Sequence, residues 1–219
     1  MASGFQAESI AEHDMNANQE ILKTLIKSVA ERVIEHTDEL SELDRAIGDG
    51  DHGLNMKRGF EQVLVKLEET AVGPVPDVLK SVGMILVTKV GGASGPLYGT
   101  LFMTLGKTLP AENVRGADVV HAFGAAIEAV KARGRSEQGQ KTMLDVLVPV
   151  HEALGQDMDG RISELRPLAA QAAEATIPML ALKGRASFLG ERSIGHMDPG
   201  ARSCALMVDA ICEVLESQR

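Results

Sequence analysis

The chain has 219 residues, 44% of them hydrophobic, and a formal net charge of −9, with no Trp and one Tyr. This length suits one domain with a substantial core, which must be built mainly from aliphatic residues. The acidic balance argues against a nucleic-acid partner, so an anionic ligand would need a metal ion, backbone N–H groups or a few arginines. No apolar run approaches the ~20 residues of a membrane span, and there is no secretory signal pattern. We therefore expect a cytoplasmic protein without a membrane partner.

The spacing of apolar residues predicts eight helices and no convincing strand. Residues 1–16 lack sustained periodicity and are expected to form a flexible N-terminal extension, which leaves residues 17–219 as a single domain. Short connections favour antiparallel neighbours, so we expect an all-α, eight-helix up-and-down barrel or bundle with its site at one end. The predicted helices cover about 18–43, a stretch after residue 55, 77–90, 97–109, 117–133, 141–156, 163–183 and 200–217.

The loop after the first predicted helix contains three aspartates, Asp44, Asp49 and Asp51. Carboxylates this close together repel one another unless a cation neutralises them, and Mg²⁺ prefers oxygen ligands of this kind. The three glycines of the loop are expected to take positive φ angles and so to bring the side chains together. The alternative is an Asp- and Gly-rich turn that only caps helices. This segment by itself does not decide between the two.

Residues 91–96 form a second unusual loop, with the sequence Gly-Gly-Ala-Ser-Gly-Pro. Small residues leave backbone N–H groups accessible, and a helix is predicted to begin just after Pro96. The N-terminal dipole of such a helix favours a bound phosphate. A close turn between helices, which also needs small residues, is the alternative.

Residues 184–200 form a third loop, long for a compact helical protein. Loops of this length are usually functional or disordered. Phe188, Leu189 and Ile194 give it apolar side chains that can pack, and Arg185 can bind a phosphate through paired N–H groups. We predict a lid over a nucleotide, with a structural Ω-loop as the alternative.

The three loops are expected to lie at one end of the bundle. Loops separated by an even number of helices share an end when successive helices alternate in direction. The first and second loops are two helices apart, and the second and third are four apart. The sequence therefore predicts a single site that all three loops build together.

Four motifs, taken together, resemble the nucleotide-binding L subunit of dihydroxyacetone kinase. They occur in the family's order between about Asn18 and the C-terminus. The resemblance implies an eight-helix barrel that binds ADP or ATP with two Mg²⁺ ions at one end. The motifs are Asp44-x-x-x-x-Asp49-x-Asp51-His52-Gly53-x-Asn55, Gly91-Gly92-Ala93-Ser94-Gly95-Pro96, Lys141-Thr142-Met143-x-Asp145 and Gly184-Arg185-Ala186-Ser187 followed by Asp198-Pro199-Gly200.

The resemblance also assigns roles to individual residues. Asp44, Asp49 and Asp51 would hold the two Mg²⁺ ions. No residue is assigned to catalysis, and Arg185 and His52 are candidates for orienting a phosphate. Arg202 adds a nearby cation without an assigned role. The nucleotide would contact His52, Asn55, Ala93, Ser94, Gly134, Thr142, Met143, Arg185, Asp198, Pro199 and Gly200.

The resemblance implies a partner as well. In the family, a histidine on a separate K subunit binds the ketone covalently, so this chain is expected to be inactive alone and to dock its site-bearing rim onto that subunit. In one branch of the family, ADP stays bound and is rephosphorylated by a protein of the phosphotransferase system. In the other branch, ATP exchanges as a substrate. For this chain the bound-ADP branch is favoured. A homodimer is left open.

Three other functions remain as alternatives. The chain could be the small subunit of an ATP-dependent kinase for dihydroxyacetone or an erythrulose-like ketose. It could be a nucleotide-sensing co-regulator that binds a transcription factor. It could also be a helical scaffold whose acidic loop binds nothing.

Overall fold

The structure is a computed structural model that describes residues 2–156 and 162–218, with side chains described from residue 19 onward. Within these ranges it contains nine α-helices, one 3₁₀ segment and no strand. None of the described helices is both long enough and apolar enough to cross a membrane. The helices are α1 (Ala2–Glu35), α2 (Thr37–Ile47), α3 (His52–Thr70), α4 (Val75–Lys89), α5 (Ser94–Thr108), α6 (Gly116–Gly134), α7 (Leu144–Gln156), α8 (Ile162–Glu174) and α9 (Pro199–Ser217), and the 3₁₀ segment is Arg185–Ser193.

Eight of these helices form a closed ring. From α3 to α9, each helix packs against the next in chain order, and α1 closes the ring by packing against both α3 and α9. The additional helix, α2, packs against α3, α9 and the 3₁₀ segment. The predicted all-α barrel is therefore confirmed, with one helix more than the sequence pattern indicates.

The additional helix arises because the first predicted helix is divided in two. His36 has φ −95° and ψ 19°, which interrupt the helix between α1 and α2. At the break, the Thr37 hydroxyl donates a 2.6 Å hydrogen bond to the Ile34 carbonyl, a local bond that competes with regular helix bonding. The α1 backbone is helical from Ala2 onward, earlier than the periodicity indicates. The flexibility expected of residues 1–16 stays a prediction.

The core of the barrel is aliphatic, as the composition indicates. Leu40, Met56 and Leu86 are completely buried and belong to one continuous cluster. Helices α4 and α5 approach so closely that a Cβ on Gly83 or on Gly99 would lie 2.9 Å from the carbonyl oxygen of the other. Because the helices pack closely around a continuous core, we expect a binding site at the ends of the barrel.

The connection between α8 and α9 folds back against α2. Ala186 and Leu189 pack with Ile47 of α2 in a small second apolar cluster. Phe188 was expected to pack as well, but it is 89% exposed, so that expectation is wrong. Ile194 is 45% exposed. Phe188 is exposed because, in the 3₁₀ segment, Leu189 rather than Phe188 points toward α2.

Candidate functional site

One end of the barrel carries a pocket of about 480 Å³, within the usual range for small-molecule sites. Its walls come from the connections that precede α3, α5, α7 and α9. The three loops expected at one rim are thus together, and the α6–α7 connection joins them. Every residue predicted for the site lines this pocket: Asp44, Asp49, Asp51, His52, Asn55, Ala93, Ser94, Gly134, Thr142, Met143, Arg185, Asp198, Pro199 and Gly200.

The three aspartates converge in this pocket. One carboxylate oxygen from each lies within 4.8 Å of the other two. The buried Asp44 accepts hydrogen bonds at Oδ2 from the backbone N–H groups of Asp51 (2.8 Å) and His52 (3.1 Å). Asp49 Oδ2 lies 2.9 Å from an Arg185 guanidinium nitrogen. Three carboxylates beside one guanidinium leave a net negative charge, and these hard oxygen donors fit a divalent cation such as Mg²⁺.

Two of the three loop glycines are required by close packing rather than by positive φ. Gly50 has φ +75°, as predicted, but Gly48 and Gly53 do not have positive φ. A Cβ on Gly48 would lie 2.1 Å from Asp44 Oδ1, and one on Gly53 would lie 2.0 Å from the Thr37 carbonyl oxygen. The prediction of positive φ is therefore wrong at two positions. Glycine at position 48 lets the Asp44 carboxylate lie against the loop, and glycine at position 53 lets α2 pack closely against α3.

Four helices begin at the pocket. Helix α3 starts at His52, α5 at Ser94, α7 at Leu144 and α9 at Pro199. The first N–H groups of a helix have no acceptor within the helix and carry partial positive charge. Helix α5 starts earlier than predicted, so Ala93 and Ser94 lie at its N-terminus. Helix N-termini next to a cluster of carboxylates can bind phosphates and their cations together.

His52 is held between two hydroxyl groups. Its Nδ1 lies 3.1 Å from Ser94 Oγ and its Nε2 lies 3.1 Å from Ser203 Oγ. The Tyr98 hydroxyl lies 2.6 Å from Ser203 Oγ. Burial lowers the pKa of His52 to about 4, although the nearby aspartates act to raise it. The ring is therefore neutral at pH 7, with one nitrogen donating and the other accepting, which suits an orienting residue.

Asn55 and Asp198 are also fixed by hydrogen bonds. The Arg58 guanidinium donates to Asn55 Oδ1, which leaves the Asn55 NH₂ group free to donate elsewhere. Asp198 caps α9 by accepting a 2.7 Å bond from the Ala201 N–H. Burial raises the pKa of Asp198 to about 7, although the Ala201 N–H and the Lys141 ammonium act to lower it. The start of α9 is thus held in place beside the pocket.

Several residues at the site were not identified from the sequence as contributors. They include Tyr98, Lys141 and Ser203, and also the pocket-lining Arg133, Ser136 and Lys183. Tyr98 lies four residues after Ser94 and lines the pocket. Ser203 lies four residues after Pro199 and is buried against His52 and Tyr98. Each therefore lies one helical turn beyond a predicted site residue, on the same face. That spacing could have indicated them. Lys141 was quoted only as part of a motif, and its ammonium contacts backbone carbonyl groups, which leave no signal in a sequence.

The role of Arg202 becomes clear from its contacts. Its guanidinium bonds Glu39 of α2, with Nε–Oε1 at 2.5 Å and Nη2–Oε2 at 3.3 Å. This pair connects α9 to α2. Arg202 does not line the pocket, so we assign it a structural contact.

Comparison with known proteins places this geometry in a family. Residues 46–213 match the DAK2 domain family model. The Listeria innocua protein "PEP-dependent dihydroxyacetone kinase 1, ADP-binding subunit DhaL" is 44% identical over 189 residues, 86% of this chain and 92% of that protein. The Escherichia coli protein "PEP-dependent dihydroxyacetone kinase, ADP-binding subunit DhaL" is 45% identical over 179 residues, 78% of this chain and 85% of that protein.

A further relative and a solved structure agree with this match. The Lactococcus lactis "PTS-dependent dihydroxyacetone kinase, ADP-binding subunit DhaL" is 42% identical over 84% of this chain and 92% of that protein. The dihydroxyacetone kinase of C. freundii in complex with AMP-PNP and Mg²⁺ shares the fold, with a TM-score of 0.72 at 24% identity over 89% of this chain and 34% of that chain. The resemblance drawn from the four motifs is confirmed, and the chain belongs to the DAK2 domain family.

Proposed function

We propose that this chain is the ADP-binding subunit of a dihydroxyacetone kinase and presents the phosphoryl group of a Mg²⁺-bound nucleotide to a ketone held on a separate K subunit. The observation that carries this proposal is the convergence of three carboxylates and four helix N-termini in one pocket. Carboxylates bind divalent cations and helix N-termini bind phosphates, so together they match a metal-bound polyphosphate. The names of the relatives support ADP as the nucleotide.

We assign Asp44, Asp49 and Asp51 to two Mg²⁺ ions. When bound, these ions would neutralise charge on the phosphates, which phosphoryl transfer needs more than a reactive side chain. Arg185 lies 2.9 Å from Asp49 and therefore can reach a phosphate held at the same place. His52, bonded through both ring nitrogens, would orient the phosphates indirectly by holding Ser94 at the N-terminus of α5, and it would not accept a proton.

The remaining residues would bind the rest of the nucleotide. The N-terminus of α5 would supply N–H groups to the phosphates, and the Asn55 amide would add a donor. The α6–α7 connection and the start of α9 form the other walls of the pocket, where a nucleoside would lie. The residues in these roles are Ala93 and Ser94 for phosphate, Gly134, Thr142 and Met143 for the nucleoside, and Asp198, Pro199 and Gly200 for the base side.

We further propose that the K subunit covers this end of the barrel. Phe188, Leu182 and Ile194 expose 89%, 52% and 45% of their surface on the connection that lines the pocket. Apolar groups exposed beside a polar site are typical of protein contacts. The "PEP-dependent" and "PTS-dependent" names of the relatives support a phosphotransferase-system protein as the phosphoryl donor. A cytoplasmic location and a homodimer stay predictions.

Two measurements test the proposal in sequence. The purified chain is denatured and the released nucleotide is identified, and the folded chain is then mixed with a ketone-binding K subunit and the phosphotransferase-system donor proteins. We expect released ADP, and phosphorylation of dihydroxyacetone only in the complete mixture. Turnover with ATP in place of the donor proteins would instead indicate the ATP-exchanging kinase. Bound nucleotide without turnover would favour the co-regulator, and no nucleotide binding would favour the scaffold.

A further inference from the structure

Lys141 is a buried lysine whose ammonium is surrounded by backbone carbonyl groups. The residue is 1% exposed. An ammonium has three N–H donors and no acceptor, so four carbonyl oxygens saturate it. Its Nζ lies 2.8 Å from the carbonyl oxygen of Thr176, 3.4 Å from that of Ile177, 3.2 Å from that of Met179 and 2.5 Å from that of His196.

These carbonyls belong to the two ends of one connection. Residues 176–179 lie just after α8, which ends at Glu174, and His196 lies two residues before Asp198, the cap of α9. The connection between them carries Arg185, which lines the pocket. Lys141 itself lies in the α6–α7 connection, next to Thr142. The ammonium thus joins two walls of the pocket that are far apart in the sequence.

Other hydrogen bonds close the base of the same connection. The Gly195 N–H donates to the Ile177 carbonyl at 2.8 Å, and the Asp198 N–H donates to Thr176 Oγ1 at 3.0 Å. The two ends of the connection therefore lie side by side, and the lysine is placed where they meet. Without its ammonium, the Ile177 and Thr176 carbonyl oxygens would keep the N–H groups of Gly195 and Met179 as donors. The carbonyl oxygens of Met179 and His196 would lose the donor that joins them to the lysine.

The position is costly for a lysine, because lysines are almost never fully buried without a charged partner. Burial lowers the pKa of Lys141, and the nearby Asp198 carboxylate acts to raise it. Charge-assisted bonds to the carbonyl oxygens offset part of the desolvation cost. A neutral side chain of similar length would fill the same volume without this cost but could not hold the two ends together.

We propose that Lys141 is a positioning residue for the nucleotide site: its ammonium clamps both ends of the α8–α9 connection to the α6–α7 connection, and so places Arg185 and the N-terminus of α9 against the phosphates. The identity of the ligand rests on the function proposed above. The clamp itself is a property of the unliganded chain and can be measured without nucleotide.

The first test compares Lys141→Met with the wild type and with Lys131→Met. Lys131 lies on α6, pairs with Glu128 and Glu137 and does not line the pocket, so Lys131→Met is the matched control. We expect Lys141→Met to speed amide hydrogen exchange in residues 175–198 of the metal-free chain, with the barrel helices unchanged. If the closed connection is then populated about a tenth of the time, ADP with Mg²⁺ binds about tenfold more weakly.

The second test is chemical rescue. Lys141→Ala removes the equivalent of a propylammonium ion, so n-propylammonium chloride should restore slow exchange and nucleotide affinity in this variant, whereas n-propanol with sodium chloride should not. If Lys141 only filled space, both n-propylammonium and n-propanol would restore slow exchange and nucleotide affinity. If Lys141→Met does not fold, this rescue decides the question, and a Lys141→Ala chain that stays unfolded with propylammonium would overturn the proposal.

The third test asks whether the lysine acts through Arg185. Because the clamp positions Arg185, the losses of affinity in Lys141→Met and Arg185→Ala should be less than additive in the double variant. Unchanged exchange and unchanged affinity in a folded Lys141→Met chain would overturn the proposal. A wild-type chain that does not bind ADP with Mg²⁺ would contradict the proposed function, yet the exchange measurement would still test the clamp.

Discussion

At the scale of single residues, the pocket holds its carboxyl groups in different surroundings. Asp44 accepts two backbone hydrogen bonds, and Asp49 faces Arg185. Asp198 is partly buried at the start of α9, and this burial raises its pKa to about 7. Asp44 and Asp49 are therefore suited to bind cations. Asp198 is suited to cap α9, and its carboxyl group is about half protonated near pH 7 when no ligand is present.

The raised pKa of Asp198 predicts a pH dependence of stability. Between the unfolded pKa of 3.8 and about 7, the folded chain binds a proton that the unfolded chain has released, so stability falls as pH rises through this window. Asn mimics the protonated acid and remains a good helix cap. Between pH 4 and pH 7, the free energy of unfolding should therefore fall about 2–4 kcal/mol more in the wild type than in Asp198→Asn, the lower figure allowing for partial exposure.

The measurement is urea unfolding of both proteins across this pH range with EDTA present, so that cations do not contribute. Parallel profiles for the two proteins would contradict the assignment. A steeper fall in Asp198→Asn would contradict it as well.

The site residues were predictable to the extent that their own side chains carry the chemistry. The aspartates and Arg185 were proposed from the chemistry of their side chains, and His52 from the resemblance to the kinase family. All five residues line the pocket. Lys141 was not assigned a role because its partners are backbone carbonyls, which every residue has. Only the folded chain shows which of them meet.

At the scale of elements, the contact between α2 and α3 places the metal-ligand candidates. A Cβ on Gly53 would lie 2.0 Å from the Thr37 carbonyl oxygen and 2.4 Å from Ser41 Oγ, both in α2. Gly53→Ala must therefore push α2 away from α3, and Asp44 of α2 would move with it. The distance between two helices thus determines whether the carboxylates converge.

We predict that Gly53→Ala lowers the free energy of unfolding by about 1–3 kcal/mol, the usual cost of overpacking. The control is Gly155→Ala in α7, where the nearest atom to an added Cβ is 3.9 Å away. That substitution should be neutral or stabilising by up to ~1 kcal/mol through helix propensity. Thermal or urea unfolding measures both. Equal stability of the two variants would contradict the close packing of α2 against Gly53 of α3.

The helices themselves were largely predictable from apolar periodicity, but their ends were not. The break at His36 has no Gly or Pro, and the apolar pattern continues through it. Helix α8 ends at Glu174, although the pattern extends to about 183, because the following residues bond to Lys141 and to the 3₁₀ segment. Tertiary contacts decide these boundaries, and a periodic pattern contains no information about them.

At the scale of the whole molecule, the closed ring explains how an acidic chain can hold a polyanion. Alternating helices bring four connections to one end, and there the helix N-termini face the carboxylate cluster. This arrangement was predictable from the count of helices between the loops, two and then four, even though the predicted total of eight helices was one too low. The added helix α2 is separated from α1 only by His36 and leaves the order of the ring intact.

The proposed function requires cations, bound by the three aspartates, to attach the nucleotide to the pocket. The most direct measurement is calorimetric titration of ADP into the wild type, Asp49→Ala and Glu42→Ala, each first freed of copurified ADP and then measured with MgCl₂ and with EDTA. Glu42 is an exposed α2 residue paired with Arg45, so its loss changes the net charge equally without touching the pocket.

We predict that the wild type and Glu42→Ala bind ADP alike and only with Mg²⁺. Asp49→Ala should bind at least about tenfold more weakly, since even changes beyond the direct ligands weaken metal sites on this scale. Affinity in Asp49→Ala equal to that of the wild type, or wild-type binding that persists in EDTA, would contradict the account.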